Sequence, residues 1–314
     1  MFETMRYVYL VYKEQSFSKA AQKLFISQPS LSATVKRVED KIGYPIFDRS
    51  TKPLSLTECG ARYIQAVEQI MAIENDFETF VNDWGDLKTG QLKLGGSALY
   101  SSWVFPLLVS RFTAKYPQVT VELIERRSPE LANLLQKGLL DLTIDNSILD
   151  KDSFDRKVFR VEHLLLTVPA KSPVNARAKT YQIPERSIED GSFLKQATAP
   201  VPLEWFAQEP FVLLKPNNNT RTRADAIFEK YGITPKVVFE LDQQFTSYNV
   251  SCTGAGISFI SDTLIARVPA NPKVVFYKLD NELSTRKIYF YWKAGRYVSR
   301  AMEEFFKLAE ESVL

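Results

Sequence analysis

The residue types that most often carry catalysis are sparse and scattered in this chain. His163 is the single histidine. It precedes an apolar run, Leu164 to Val168, and reads as a strand residue. No Gly-x-Ser-x-Gly elbow accompanies it, so a Ser-His-Asp nucleophile lacks its framework. Cys59 and Cys252 are far apart in the sequence and stand without the clustered Cys and His that hold zinc. Gly254-Ala255-Gly256 supplies half of a dinucleotide fingerprint, but Phe259 occupies the third glycine position. These patterns predict no enzyme, no metal and no cofactor.

Hydrogen-bonding chemistry, by contrast, is concentrated in one short stretch. Between Gln28 and Lys41 the apolar residues Leu31, Val35, Val38 and Ile42 repeat at helical spacing. The opposite side carries Gln28, Ser30, Ser32, Ala33, Thr34 and Lys36. Short polar groups beside a lysine suit a helix that enters a major groove, where bulk is limited and base edges present donors and acceptors. Charge agrees with this. Residues 1–60 hold nine basic side chains and six acidic ones, which accounts for the whole excess of 40 basic over 37 acidic. A modestly basic head on a neutral body fits a DNA-binding module.

Several elements must position that helix. Phe2, Met5, Tyr9 and Tyr12 predict an amphipathic helix over 3–13. Ser18 opens a second, whose Ala20-Ala21 pair permits close helix crossing. Ser27 is an N-cap and Pro29 suits the first turn of the third helix, which Gly43 stops. Ser50 to Thr57 is too short and polar for core strands and reads as a hairpin, a wing carrying basic residues over the phosphate backbone. Residues 61–86 then predict a long helix. Tyr63, Ala66, Ile70, Ile73, Phe77, Phe80 and Trp84 step alternately by three and four, a heptad seam for pairing with a second copy.

The stretch from Ser16 to Gly60, SFSKAAQKLFISQPSLSATVKRVEDKIGYPIFDRSTKPLSLTECG, resembles the winged helix-turn-helix of LysR-type transcriptional regulators. The shared features are a serine before an alanine pair, a Ser-Gln-Pro helix start and a Leu-Ser pair. They continue in Val38-Glu39-Asp40-Lys41-Ile42-Gly43, Ile46-Phe47-Asp48-Arg49 and Leu56-Thr57-Glu58-Cys59-Gly60. The resemblance implies a regulator that binds double-stranded promoter DNA as a homodimer or homotetramer and works with RNA polymerase. It implies DNA contacts from Ser18, Gln28, Pro29, Ser30, Ser32, Ala33, Thr34, Lys36, Arg37, Arg49 and Lys52. Lys52 stands where arginine is common in the family.

Gly85 to Gly90 is a turn-prone break. Beyond it strands and helices alternate. Strands are predicted at 91–95, 119–124, 142–144, 164–168, 211–214, 237–240 and 257–260, with helices at 104–116, 129–137, 222–231 and 245–253. Repeated βα units imply largely parallel sheets with helices on both faces. The motifs Phe105-Pro106-Leu107-Leu108, Gly138 to Ile144, Asn219 to Arg221 and Gly254 to Ser258 resemble the LysR effector domain, a two-lobed fold like that of periplasmic binding proteins. The expected architecture is therefore multidomain. A mostly α winged helix-turn-helix (1–60) is followed by a dimerising linker helix and hinge (61–90). An α/β effector domain (91–314) completes it, with lobe I at 91–162 and 270–314 and lobe II at 163–269. The segment from Pro173 to Phe211, with Tyr181, Phe193, Trp205 and five prolines, is longer than the family pattern. It reads as a surface loop or a cover for the cleft, the loop being preferred.

In such a fold the ligand lies between the lobes, where strands end and helices begin. The candidate positions are Ser97-Ala98-Leu99-Tyr100, Asn146, Asn218-Asn219-Thr220, and Gln243-Gln244. All are uncharged, and helix starts lined with hydroxyls and amides favour an anion. A small metabolite bearing at least one carboxylate, or an inorganic oxyanion, is the expected effector, and Leu99 and Tyr100 favour the organic acid. The first residues lack a signal peptide and no apolar run approaches the roughly 20 residues of a membrane span, so a cytoplasmic protein is expected. Two readings from other classes stand beside this one. A two-lobed metabolic enzyme would need a nucleophile or metal cluster. A transport-type binding protein would need a signal peptide and no basic head. A thiol sensor would need a cysteine pair in the second part, where only Cys252 lies.

Overall fold

The computed structural model describes residues 2–83, 90–195, 198–279 and 281–311. The chain divides into two compact units, residues 1–81 with 137–139, and residues 82–136 with 140–314.

The first unit begins with α1 (Phe2–Glu14), α2 (Phe17–Lys23) and α3 (Gln28–Ile42). Ser16, rather than Ser18, caps α2, its side chain accepting from Lys19 N at 3.4 Å. Ser27 caps α3 by accepting from Ser30 N at 3.3 Å. Gly43 ends α3 in the left-handed region at φ 84°, which a residue with a Cβ adopts at a cost. Val8, Val11, Ala20, Ala21, Leu31 and Val35 form the buried centre. Strands β1 (Phe47–Asp48) and β2 (Ser55–Leu56) pair antiparallel as the short hairpin of the wing. At its base Thr57 Oγ1 donates to Pro45 O at 2.6 Å and accepts from Gly60 N at 2.9 Å. A Cβ on Gly60 would fall 1.9 Å from Ile46 O, so only glycine lets the next helix pass. That helix, α4 (Glu58–Asp83), has 26 residues and a length of about 39 Å at 1.5 Å per residue. It starts three residues earlier than the periodicity predicts. Trp84 of the expected seam, and residues 85–89 of the break expected from Gly85 to Gly90, lie outside the described residues.

The second unit opens with β3 (Gly90–Gly96), α5 (Ala98–Trp103), α6 (Phe105–Lys115), β4 (Val119–Glu125), α7 (Ser128–Gln136) and β5 (Leu142–Asp145). Strand β6 (Phe154–Pro169) follows, 16 residues long. Next come α8 (Val174–Arg177), β7 (Gln182–Ile183), α9 (Glu185–Glu189), β8 (Pro210–Leu214), α10 (Asn219–Lys230), β9 (Lys236–Leu241) and α11 (Gln244–Cys252). The chain closes with β10 (Ser258–Ser261), α12 (Asp262–Ile265), β11 (Val274–Lys278), α13 (Asn281–Ser284), β12 (Thr285–Lys293) and α14 (Arg300–Glu311).

Strand β6 serves two halves. Its first ten residues pair with β12, and residues 164–169 pair with β10 on one side and β11 on the other. The halves have separate cores, one around Leu94, Phe105, Phe112, Phe290 and Phe305, the other around Leu166, Phe206, Phe211 and Phe259. The expectation of largely parallel sheets holds only locally, for β3 with β4 and β5 and for β8 with β9. The strands that join the halves pair antiparallel, because β12 runs back along the path that β6 took out. The return to lobe I, expected between residues 269 and 270, also lies later, since β11 still pairs with residues 165–169 and β12 is the strand that comes back.

The segment from Pro173 to Phe211 is neither a surface loop nor a detached cover. It adds β7 to the edge of the sheet beside β11, and it buries Phe193, Leu203 and Phe206. Tyr181 meets Trp205 edge-on at 5.5 Å, and Arg177 lies over the Trp205 ring at 4.1 Å. Apolar burial, roughly 25 cal/mol per Å2, outweighs the loop-like prolines here.

Candidate functional sites

The exposed side of α3 carries the groups expected from the sequence. Gln28, Pro29, Ser30, Ala33, Lys36 and Arg37 are exposed, Ser32 and Thr34 half-buried, and Ser18 on α2 is exposed. Arg37 Nη2 donates to Thr34 Oγ1 at 3.0 Å, which restrains the guanidinium along the helix. Phe25, just before α3, is 96% exposed at φ 55°. Nothing in its periodicity marks it out, and its exposure is visible only in the fold.

Arg49 and Lys52 part company. Lys52 is exposed near the tip of the wing. Arg49 is held at the wing base, where Nη2 donates to Glu39 Oε2 at 3.0 Å and the guanidinium lies 5.3 Å from the Phe17 ring. Glu39, which reads as a surface residue of α3, is buried. Its Oε1 accepts from Ile46 N at 2.8 Å and Phe47 N at 3.2 Å, so one carboxylate fixes the start of the wing.

Along α4 the predicted seam divides. Tyr63 packs on the core of its own unit, Ala66 is exposed and Ile70 half-buried. Ile73 is 69% and Phe77 66% exposed, with Phe80 exposed beyond them.

In the second unit, most of the predicted ligand positions converge on a pair that the sequence did not announce. Arg286 on β12 and Glu162 on β6 are cross-strand neighbours, both almost completely buried. Arg286 Nε donates to Glu162 Oε2 at 2.7 Å. Its Nη1 donates to Asn219 Oδ1 at 2.9 Å and to Thr220 Oγ1 at 3.0 Å. Gln244 Nε2 donates to Thr220 Oγ1 at 2.9 Å, and Gln244 Oε1 accepts from Ser261 N at 3.0 Å. Asn218 caps α10 by accepting from Thr220 N at 2.9 Å. Tyr100 is buried beside this group, with Asn146 next to its hydroxyl. Burial and the charge of Glu162 push its phenol well up. Burial opposes the Arg286 charge, but Glu162 and Tyr100 more than offset it and hold the guanidinium above its ordinary value.

Ser97 stands at the N-cap of α5 yet makes no side-chain cap hydrogen bond. Ala98 is half-buried beside it, and Leu99 packs against the cores of both halves. Gln243 is exposed and does not join the group. The expectation of an uncharged cleft is thus corrected: a guanidinium sits at its centre, already compensated by a carboxylate. Both residues lie on strands whose pairing joins positions 124 apart, which no local pattern reveals.

Among the described residues, no group of three or more His, Cys, Asp and Glu could hold a metal ion. No helix among them is long and apolar enough to cross a membrane. Burial pushes the Cys252 thiol up, away from a reactive thiolate.

Comparison with known proteins gives a consistent picture. Residues 85–313 match the LysR substrate binding domain, and residues 2–61 match the bacterial regulatory helix-turn-helix protein of the lysR family. The chain is 26% identical over 311 residues to the uncharacterized HTH-type transcriptional regulator YcgK of Bacillus subtilis (strain 168), covering 99% of this chain and 94% of that protein. It is 27% identical over 252 residues to the HTH-type transcriptional regulator CfxR of Cupriavidus necator, covering 80% of this chain and 72% of that protein. Among solved structures, a full-length OxyR variant from Pseudomonas aeruginosa superposes with a TM-score of 0.73 at 20% identity, covering 98% of this chain and 97% of that one. Full-length CbnR complexed with its target DNA superposes with a TM-score of 0.65 at 16% identity, covering 99% of each chain.

Proposed function

Because the chain belongs to the LysR family of DNA-binding transcriptional regulators, we propose a division of labour in which residues 1–60 read DNA, 61–90 pair two copies and 91–314 sense a small molecule. The observation that carries the DNA reading is α3: its apolar side is buried in the core, and its hydrogen-bonding side faces outward. Gln28, Ser30, Ser32 and Thr34 read base edges, with Lys36 and Arg37 alongside. Lys52 on the wing meets phosphate. Replacing Ser30 or Ser32 by alanine relaxes sequence choice, with each lost base contact worth about 1–3 kcal/mol of discrimination. Lys52→Ala weakens all sequences alike and lowers the salt slope by about one. Fluorescence anisotropy on upstream intergenic DNA at two salt concentrations measures both. Unchanged affinity in a chain reduced to residues 90–314 would sink the reading.

Pairing rests on Ile73 and Phe77, large apolar side chains left open on a helix that continues past the core of its own unit. Two copies joined here present two reading helices to a near-palindromic operator. Ile73→Asp with Phe77→Asp sets charges in an apolar interface and yields monomers at micromolar concentration in sedimentation. A dimer that survives both changes places the interface elsewhere.

The sensed molecule is a small metabolite with a carboxylate, bound by Ser97, Tyr100, Asn146 and the start of α10, which Arg286 contacts at Asn219 and Thr220. Glu162 compensates Arg286, so the hydroxyls, amides and helix-start N–H groups set the orientation of the anion. Ser97 supports this reading most directly, because its hydroxyl is not used as a cap. Ser97→Ala is expected to remove the response to metabolite while operator affinity stays within about twofold, a change under 0.5 kcal/mol. A thermal-shift screen of organic acids checks it: at least one acid should stabilise wild type but not the variant, and a screen in which every stabilising acid acts on both alike argues against the cleft.

A further inference from the structure

We propose that the second unit holds another small-molecule site, apart from the Arg286 cleft: a pocket that takes a small carboxylic acid with an apolar body and a hydroxyl or amino group beside the carboxylate. This goes beyond the regulatory reading above and does not depend on it. The cavity measures about 260 Å3, and none of its lining residues belongs to the Arg286 group. A void of about 150 Å3 already admits benzene, so there is room for a branched chain or one ring together with a carboxylate.

The walls have three parts. Phe159 of β6, Ile188 of α9, and Phe193 give it an apolar side. The last two come from the 173–211 segment, so the sequence feature that the regulator fold left unexplained builds this pocket. The second part is cationic. Arg160 Nε donates to Val161 O at 3.4 Å, and Nη2 lies 3.9 Å from Asp262 Oδ2. Arg267 Nη1 donates to Thr263 O at 2.9 Å, and among the described residues no carboxylate lies within ion-pair distance of it. Burial, and after it the neighbouring charge of Arg160, pull Arg267 down to about 10. Two guanidiniums that repel each other across a partly enclosed space are relieved by an anion between them. The only other carboxylate in the lining, Glu189, is exposed.

The third part is Asp262. It is 4% exposed, and its Oδ2 faces His163 Nδ1 at 3.0 Å. Its Oδ1 is buried with no partner. A buried acceptor of this kind is costly unless a donor reaches it. A plain carboxylate would satisfy the arginines and leave Oδ1 bare. A carboxylate with an adjacent hydroxyl or ammonium satisfies both.

The test uses the full chain and isothermal titration with 2-hydroxy-4-methylpentanoate, L-leucine and, as the uncharged analogue, 2-hydroxy-4-methylpentanamide. At least one acid is expected to bind saturably, with the amide about tenfold weaker or worse. Arg267→Gln should weaken that acid by about tenfold or more, while Ser97→Ala leaves it unchanged. Ala266→Phe fills the cavity and should abolish binding, which keeps the test decisive if Arg267→Gln does not fold by circular dichroism. Three results overturn the proposal: no heat from either acid at about 10 mM, equal affinity for the amide, or acid binding that is lost in Ser97→Ala yet unaffected by the pocket variants.

Discussion

Glu162→Gln is expected to lower the stability of the second unit by about 3–5 kcal/mol, because it leaves the Arg286 guanidinium buried without a counter-charge. The two side chains are almost fully buried, and Arg286 also donates to Asn219 and Thr220, so the cation cannot swing out to water without breaking those bonds. For a unit of this size the loss corresponds to a fall of about 6–20 °C in its thermal midpoint. Arg286→Met should cost a similar amount, since it strands the carboxylate instead. The double variant Glu162→Leu with Arg286→Met should recover much of the loss, because two apolar side chains need no compensation. It should still fail to respond to metabolite, since Asn219 and Thr220 lose the donor that orients them. Differential scanning calorimetry of wild type and the three variants compares them. If Glu162→Gln shifts the transition by under about 2 °C, less than 1 kcal/mol, Arg286 does not need Glu162 as its counter-charge.

The second large effect is expected at Glu39. Its carboxylate accepts two backbone N–H groups and a guanidinium at the base of the wing. Glu39→Ala strands Ile46 N and Phe47 N in a buried environment, at about 2–4 kcal/mol for the pair. In a unit of about 80 residues this is a drop of roughly 10–30 °C in its thermal midpoint. Glu39→Gln should keep part of the stability, since its amide oxygen still accepts from the backbone. Arg49→Ala should cost less than either, because Arg49 is itself 47% exposed and loses only a partly screened pair. DNA affinity of Glu39→Ala should fall along with stability, as the hairpin loses its fixed exit from α3. Circular dichroism melting beside anisotropy separates the two. An Arg49→Ala variant less stable than Glu39→Ala would contradict this account of the wing.

The first unit was largely legible because its signals are local. Ser27, Pro29 and Gly43 bracket α3 within one short stretch, and the buried positions Leu31 and Val35 follow the helical period. Glu39 escaped because a carboxylate at a polar-looking position carries no mark of burial. It is buried only because the chain turns back at Pro45 and brings two N–H groups to it. The second unit was less legible for a related reason. The exposure pattern of β6 does not alternate cleanly over its first half, since one side of it faces different elements in turn. Strands β11 and β12 were not foreseen at all, as each depends on partners far earlier in the chain. No local pattern marks Arg160, Arg267 or Arg286 for a cleft or pocket: the first lies on β6, the second just after α12 and the third on β12. The 173–211 segment misled in the opposite sense. Its prolines suggested a loop, while Phe193, Leu203 and Phe206 were already sufficient to anchor it.

Strand β6 also constrains how a signal can leave the sensor. Two lobes joined by flexible loops can open and shut like a jaw. Here a single strand of 16 residues, about 53 Å end to end at 3.3 Å per residue, runs through both, and β12 is bonded along its first half up to His163. Bending such a ribbon within the plane of its hydrogen bonds strains the bonds between β6 and β12, whereas twisting it follows the natural twist of paired strands. The pairing is irregular between Ile288 and Tyr289, a few residues from the passage between halves, and irregularities of this kind increase local twist. One unbroken strand through both halves leaves less freedom for a hinge than two loops would, and the irregular pairing beside the passage is where the twist of that joint is least fixed.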